Sequence, residues 1–417
     1  MINQTQNEFD VLIVGGGMVG ASLAIALCDQ PLRIGMIEAV AWQVEDKPCY
    51  DDRSIALAWG SRRIFDSMGV WQAMTPAATA IKTIHVSDRG HFGFTRLDAR
   101  QQQVEALGYV IAARAIGKVL TEALAHQANV TLISPATVTN IDFDSDCANV
   151  TVDQEGQSRQ LKTRLLVGAD GVQSSVRELL SVDTTMNDYG QTAVIANLTT
   201  EKPHHHIAFE RFTNTGPMAL LPLDHDRCAL VWTVEKEQVE EVMSLDDDVF
   251  LQAVLKHFGY RLGKLIKVGR RDAYPLRLVR AQEQVRERLV LIGNAAHTLH
   301  PVAGQGFNLG LRDVATLAQV IAEARQMDKD IGSLPILNRY AEWRISDHNR
   351  VINFTDNLVK LFSNDLLPLS FARNVGLLVA DVFPPVKKAL LRRTMGISGH
   401  LPRLARGLSL QKNQHGN

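Results

Sequence analysis

Asp10-Val-Leu-Ile-Val-Gly-Gly-Gly-Met-Val-Gly20, followed by Arg33-Ile-Gly-Met-Ile-Glu38, constrains the fold of this chain more than any other stretch. A short apolar strand, Val11 to Val14, runs into a glycine turn. An Ala-rich helix from Met18 to Cys28 comes next, and a second strand closes on an acid. A strand apolar at every position belongs in a sheet covered on both faces. In such a unit Gly15 permits the tight turn, Gly17 lets backbone approach a diphosphate, and Gly20 lets helix and strand pack closely. The helix N-terminus offers free N–H groups and a positive dipole end to an anion. Glu38, 18 residues after Gly20, stands where a carboxylate can accept hydrogen bonds from a ribose diol. The order of elements predicts a bound adenine dinucleotide, and the acid disfavours a 2′-phosphate at this site.

With 417 residues the chain has room for two domains. Its net charge of −1 and pI near 6.9 give no basic footprint, so no nucleic-acid partner is expected. The four cysteines, Cys28, Cys49, Cys147 and Cys228, lie far apart without a CxxC pair. They read as reduced, mostly buried thiols and not as disulfides or metal ligands. A polar N-terminus without an apolar signal region, and the lack of any run of about 18 apolar residues, predict a cytoplasmic chain with no membrane span.

The pattern is α/β at both ends and sheet-rich between. Residues 9 to about 75 read as strand, helix, strand, then a loop and helix carrying Asp52-Arg-Ser-Ile-Ala-Leu. A helix from Ala115 to His126 precedes strands at Val130-Thr-Leu-Ile, Val138 to Phe143, Asn149-Val-Thr-Val and Leu165 to Asp170. Residues 190 to 275 carry strand-like runs separated by Gly, Pro, Asn and Asp, which predicts an antiparallel sheet. Ser244-Leu-Asp-Asp-Asp-Val reads as a helix start with acids on its positive end, in preference to a metal site. The strand Leu289 to Gly293 and a long helix from Gly306 to Arg325 restore the α/β pattern. The expected organisation is a discontinuous Rossmann-like dinucleotide domain (1–78, 105–182 and 279–345), an inserted sheet domain (79–104 and 183–278), and a helical C-terminal region (346–417). Helix there runs from Leu337 to Arg393 with a break at Pro384-Pro385.

Two further stretches stand out. One is Gly168-Ala-Asp-Gly-Val-Gln-Ser-Ser-Val-Arg177; the other is Gly293-Asn-Ala-Ala-His-Thr-Leu-His-Pro-Val-Ala-Gly-Gln-Gly-Phe-Asn-Leu-Gly-Leu-Arg-Asp313. With the first glycine run, they resemble the GxGxxG, DGxxSxxR and GDAxHxxxPxxGQGxNxGxxD patterns of the FAD-dependent, single-component aromatic hydroxylases of the p-hydroxybenzoate hydroxylase type. The resemblance spans residues 9 to 313 in order. Ile84-His-Val-Ser-Asp-Arg-Gly-His, Phe209-Glu-Arg-Phe-Thr, Gly216-Pro-Met-Ala-Leu-Leu-Pro-Leu and Phe258-Gly-Tyr-Arg-Leu-Gly-Lys look like the ubiquinone-biosynthesis branch, its 2-polyprenyl-6-methoxyphenol hydroxylases above all.

The resemblance implies FAD as cofactor, NADPH or NADH as a transient reductant, O2 as co-substrate and a polyprenylated phenol as substrate. It implies hydroxylation of 2-polyprenyl-6-methoxyphenol to 2-polyprenyl-6-methoxy-1,4-benzoquinol through a flavin C4a-hydroperoxide. FAD would rest on Gly15, Gly17, Gly20 and Glu38. Arg53 would lie over the flavin or its phosphates, and Asp170 near the diphosphate with Arg177 as its ion partner. Asn294, Gly304, Gln305, Gly306 and Asn308 complete the cofactor set. Asn294 replaces the usual Asp and can still accept a ribityl hydrogen bond, without the strengthening of a charge. His300, Pro301 and Gly304 form the loop against the flavin ring, with no side-chain acid or base assigned.

Several residues admit two readings. His297, His300 and the run His204-His-His206 are histidines in metal-like company, but too few ligands accompany them, and no metal is expected. Trp232 and Phe212 suit either sheet core or substrate pocket, and Phe307 packing or pocket. Tyr274-Pro-Leu reads as a linker. The stretch from Phe354 to Leu391 mixes apolar residues with Lys360, Arg373, Lys387, Lys388, Arg392 and Arg393. It suits either packing or peripheral contact with an anionic membrane or with other proteins of a ubiquinone-biosynthesis complex. Competing functions are a sibling hydroxylase acting at another ring carbon, a prenyl reductase, and a non-catalytic FAD-binding scaffold. A flavin halogenase would carry a WxWxIP stretch, which this sequence lacks.

Overall fold

The computed structural model describes residues 7–41, 53–90, 93–298, 305–362 and 383–411, with backbone alone for 354–362. Cys49 and Asp52 lie outside the described residues, as do residues 363–382 of the C-terminal stretch.

The first strand, Glu8–Val14, sits in an eight-stranded sheet. It pairs in parallel with Ile34–Ile37 on one side and with the end of Gln157–Gly168 on the other. Val130–Ile133 and Leu289–Leu291 extend the parallel core, and the antiparallel strands Thr137–Phe143 and Ala148–Gln154 fold alongside. Val11, Leu12 and Ile13 are fully buried, each gaining roughly 1.5–3 kcal/mol from loss of water contact. The helix Met18–Leu27 is buried along nearly its whole length between this sheet and the helix Gln305–Gln326. That is why its sequence is apolar all round instead of amphipathic.

A second, nine-stranded sheet holds the sequence between residues 184 and 281. Its order is His297–Thr298, Asp272–Ala281, Thr184–Thr200, Arg227–Glu235, Gly216–Pro222, Ile207–Thr213, Thr83–Asp88 and Phe94–Asp98, with Leu265–Val268 paired to Thr184–Thr200. Its pairings are antiparallel except where Ile207–Thr213 runs parallel to Thr83–Asp88. The helix Asp247–Phe258 covers one face through Phe250, Val254 and Phe258. A third sheet joins Ser54–Ala58, Gly108–Ala112 and Ala78–Ile81.

Four expectations change. Ser54 to Ala58 is a strand, where loop and helix were expected; the helix begins only at Trp59. Tyr274-Pro-Leu is no linker but the middle of the strand Asp272–Ala281, with Pro275 beside an irregularity in the pairing. Proline is tolerated there because a bulge does not need its missing N–H. Pro384 and Pro385 open the helix Pro384–Thr394, since proline suits a first turn whose N–H groups are unpaired anyway. The acids after Ser244 do start a helix, with Asp247 and Asp248 in its first turn, but no side chain caps it. Cys28 and Cys147 are free and half-buried, and Cys228 is free and buried. No helix among the described residues is long and apolar enough to cross a membrane.

Candidate active site

The glycine turn has the geometry its sequence demands. Gly15 adopts φ +103°, and a Cβ there would stand 2.6 Å from Ala169 O. A Cβ on Gly20 would come within 2.0 Å of Gly15 O, so only glycine lets this helix close on its strand. Gly17, the N-cap of the same helix, is different. A Cβ there would meet nothing within 4 Å. Glu38 reaches back into the turn: its Oε2 accepts the Gly16 N–H at 2.6 Å and its Oε1 the Val40 N–H at 3.0 Å.

The second motif lies against the first, because Ala169 and Asp170 are the atoms that crowd Gly15. Asp170 Oδ2 accepts Ser175 Oγ–H at 3.0 Å and Val176 N–H at 3.1 Å, which fixes the start of the helix Ser175–Leu179. Its Oδ1 is buried without a partner among the described residues. Arg177 is not its ion partner, contrary to expectation. The guanidinium donates instead to Ala295 O at 3.1 Å and to Val172 O. Burial pushes the Arg177 pKa down, and nearby Asp170 opposes that shift.

The third motif packs onto both. Ile292 N–H donates to Gly168 O at 2.9 Å. Gly293 and Gly310 both face Val19 of the first helix, where added Cβ atoms would stand 3.1 and 3.2 Å from its methyl groups. Asn294 is exposed on the turn Gly293–Ala295. Gln305 is buried at the start of its helix, and Gly306 faces open space. Asn308 Oδ1 accepts Ala58 N–H at 2.8 Å and Ser61 Oγ–H at 2.6 Å, and its Nδ2 donates to Ala56 O at 2.8 Å. It thereby fastens the strand Ser54–Ala58 to the Gln305 helix. Arg53 is exposed with its guanidinium 5.1 Å from the Tyr274 ring centroid, where attraction to the ring face holds it. His300, Pro301 and Gly304 lie outside the described residues.

Below the third motif is a buried ionic network, of which only Asp313 lies in a sequence motif. Asp313 Oδ2 accepts from Gly293 N–H at 3.1 Å and His297 Nε2 at 2.8 Å. Its Oδ1 accepts from Arg344 Nε at 2.7 Å and His348 Nε2 at 2.8 Å. Burial would raise the Asp313 pKa, but His348, Arg344 and His297 overcome it and hold the carboxylate well below the usual range. Burial pushes His348 down to about 4, so it is neutral at pH 7 and donates through Nε2. Asp347 completes the network by accepting from Arg344 and from Arg312, the latter at 2.8 Å. His297, Asp313 and His348 are close enough together to hold a metal ion. The Arg344 guanidinium, however, already provides a positive charge on Asp313, while His297 Nδ1 and Arg344 Nη2 are buried without a partner among the described residues.

Other histidines and aromatics also find plain roles. His204 Nε2 lies 2.8 Å from the Leu223 and His225 carbonyls, tying a turn. Trp232 packs against Phe250 under the helix Asp247–Phe258, which makes it sheet core. Phe307 stacks on Phe65 with ring centroids 6.2 Å apart.

The three motifs therefore form one cradle, and FAD fits it. Open space faces Gly17 and Gly306, the two glycines at helix starts, while protein crowds Gly15 and Gly20. That is the pattern expected of a site in which the first pair leaves room for a ligand.

Comparison with known proteins agrees. The profile of the FAD binding domain family matches residues 8–353, and the chain belongs to that family. It is a flavoprotein monooxygenase, as the motifs led us to expect. Ubiquinone hydroxylase UbiL of Rhodospirillum rubrum is 36% identical over 404 residues, covering 96% of this chain and 93% of the relative. The 3-demethoxyubiquinol 3-hydroxylase of Escherichia coli is 30% identical over 399 residues, covering 94% and 100%. Among solved structures, p-nitrophenol 4-monooxygenase PnpA from Pseudomonas putida superposes with a TM-score of 0.78 at 18% identity, over 94% of this chain and 99% of that one. That last likeness concerns the fold.

Proposed function

We propose that this chain hydroxylates a polyprenylated phenol of ubiquinone biosynthesis, converting 2-polyprenyl-6-methoxyphenol to 2-polyprenyl-6-methoxy-1,4-benzoquinol with NAD(P)H and O2. The observation that carries this reading is the convergence of the three motifs on Val19, Gly168 and Asp313, beside a sheet that can cover an apolar substrate. The chemistry supplied by bound FAD is reductive activation of O2. The chain binds and shields. Gly15, Gly17 and Gly20 with the first helix N-terminus take the diphosphate, Glu38 takes the ribose, and Asp170 and Arg177 brace the turn beside it. Asn294, Gln305 and Gly306 would face the ring-bearing half together with His300, Pro301 and Gly304, which lie outside the described residues, while the Asn308 amide holds the strand Ser54–Ala58 beside them. Arg53 lies on Tyr274 of the strand Asp272–Ala281.

The relatives' names support a ubiquinone-pathway substrate. The name of the Escherichia coli relative specifies position 3, which favours, as a second reading, a sibling hydroxylation at another ring carbon. Aerobic turnover of a short-chain prenyl-methoxyphenol, with the product analysed by mass spectrometry and NMR, separates the two. A hydroxyl para to the existing one supports the first reading, and one elsewhere replaces it with the second. Reductant consumption without an oxygenated product overturns both.

The greasy tail implies contact with a bilayer. Phe383 and Val386 are exposed on and beside a helix carrying Lys387, Lys388, Arg392 and Arg393, while Leu391 anchors that helix to the protein. We assign this helix to peripheral membrane contact.

A further inference from the structure

Phe209 and Arg211 turn toward the helix Asp247–Phe258. The Phe209 and Phe258 rings are 5.6 Å apart, and Arg211 Nη1 donates to Phe258 O at 2.7 Å. Side chains alternate along a strand, so Glu210 between them points to the opposite face. Ala208 shares that face and packs against Ile81 and Val110 of the third sheet. The cross-strand partners of Glu210 are Val86 and Ala219, both apolar. On this same face Arg53 stacks on Tyr274, and the helix Leu334–Phe362 approaches the strand Gly216–Pro222. Glu210 thus stands on the inner wall between the nine-stranded sheet and the cofactor-bearing half. Its side chain is only half-buried, yet desolvation pushes its carboxyl up to about 7. Among the described residues its carboxylate has no hydrogen bond and no ion pair. Such a group costs stability, so a structural role does not account for it.

We propose that Glu210 is the general base that takes the phenolic proton of the aromatic substrate, an inference that rests on the function proposed above. The phenol O–H bond breaks, the proton passes to a Glu210 oxygen, and the electron pair stays on the phenolate oxygen. Electron density rises at the ring carbon that receives oxygen from O2. That carbon then releases its hydrogen as a proton, while the ring carbonyl oxygen recovers the proton from Glu210, restoring both aromaticity and base. The other charged groups on this side of the sheet have partners elsewhere. Asp88, two residues along from Val86, is buried with an interaction of its own, Asp272 pairs with Arg270, and Arg53 lies on Tyr274. Arg344, Asp347 and His348 of the Leu334 helix are held in the Asp313 network.

The test uses FAD-loaded enzyme with a short-chain prenyl-methoxyphenol. Glu210→Gln keeps shape and FAD content, and its hydroxylation kcat is expected to fall about 100-fold or more. In the wild type kcat rises with pH through about 7, because the base must be ionised. That limb disappears in Glu210→Gln and returns in Glu210→Asp. Ultraviolet titration of the bound phenol supplies a readout independent of turnover: wild type shows phenolate at lower pH than free phenol, and Glu210→Gln does not. A Glu210→Gln enzyme with wild-type rate and pH profile overturns the proposal. So does an unshifted bound phenol in the wild type, which decides the matter even if the variant does not fold. Failure of wild type to oxygenate the prenylphenol overturns the proposed function instead, and leaves the titration to judge Glu210 as a phenol-binding base.

Discussion

Arg344 Nε lies 2.7 Å from Asp313 Oδ1, with both side chains shut away from solvent. The pair joins the Gln305 helix to the Leu334 helix, and through Gly293 and His297 it reaches the third motif. Removing the Asp313 charge would leave the buried Arg344 and Arg312 guanidiniums to share Asp347 alone. Asp313→Asn is expected to lower stability by about 3–5 kcal/mol, read by urea unfolding at pH 7. A loss under about 1 kcal/mol would show that the pair is not holding the helices together.

The same network sets an acid limit. His348 is pushed down to about 4 from an ordinary 6.5, so between those values the unfolded chain binds a proton that the folded chain refuses. Stability falls as pH drops through this window. The depressed Asp313 carboxylate works in the same direction below the ordinary carboxylate range, as it is protonated more readily when unfolded. Thermal melts of His348→Gln should show a shallower decline between pH 6.5 and pH 4 than wild type, and parallel curves would contradict this.

Gly17 and Gly20 separate folding from cofactor binding. Gly20→Ala drives a Cβ within 2.0 Å of Gly15 O and should destabilise even the apoprotein by several kcal/mol. Gly17→Ala meets nothing and should leave apoprotein melting within about 1 kcal/mol of wild type while weakening FAD at least about tenfold. Calorimetric unfolding and FAD titration measure the two effects. Equal FAD affinity in Gly17→Ala would move the diphosphate away from that turn.

Asn308 bonds three backbone or hydroxyl groups of the Ala56–Ser61 segment. Asn308→Ala leaves them unpaired, and a stability loss of at least about 2 kcal/mol is expected from urea unfolding. Faster proteolysis after residue 53 should accompany it.

Membrane contact through the Pro384 helix predicts charge dependence. Lys387→Glu with Lys388→Glu should cut co-sedimentation with anionic vesicles at least about tenfold at low salt, at about 1 kcal/mol per basic residue. Binding to anionic vesicles that is absent in wild type, or unchanged in the double variant, would remove this helix from the membrane.

Positions that constrain backbone were the most legible in the sequence. Gly15 and Gly20 announce close approaches that a Cβ forbids, so their spacing carries geometry directly. Glu38 was placed correctly at the turn because a strand of known length ends there. Groups defined only by long-range packing were not legible. Arg344 and His348 meet Asp313 across 31 and 35 residues, with no local pattern to mark them. The resemblance implies Arg177 as the ion partner of Asp170, yet the guanidinium bonds the Ala295 and Val172 carbonyls while Asp170 Oδ2 serves the helix start. Pro275 and Tyr274 resembled a linker because a bulge in a long strand reads like one. Glu210 lies in the stretch Phe209-Glu-Arg-Phe-Thr, but alternation alone does not say which face of a sheet meets the cofactor.

The cradle has a consequence for biosynthesis. Its first wall, Gly15 to Gly20, leaves the ribosome early, but Gly293, Gly310 and Asp313 follow only after about three quarters of the 417 residues are made. The nascent polypeptide must therefore carry a half-built nucleotide pocket through most of translation, and vitamin-derived colour can be acquired only near the end of synthesis. Cells short of riboflavin would accumulate a nearly complete product waiting for its pigment, and the supply of FAD, more than the rate of elongation, would govern how much mature protein survives.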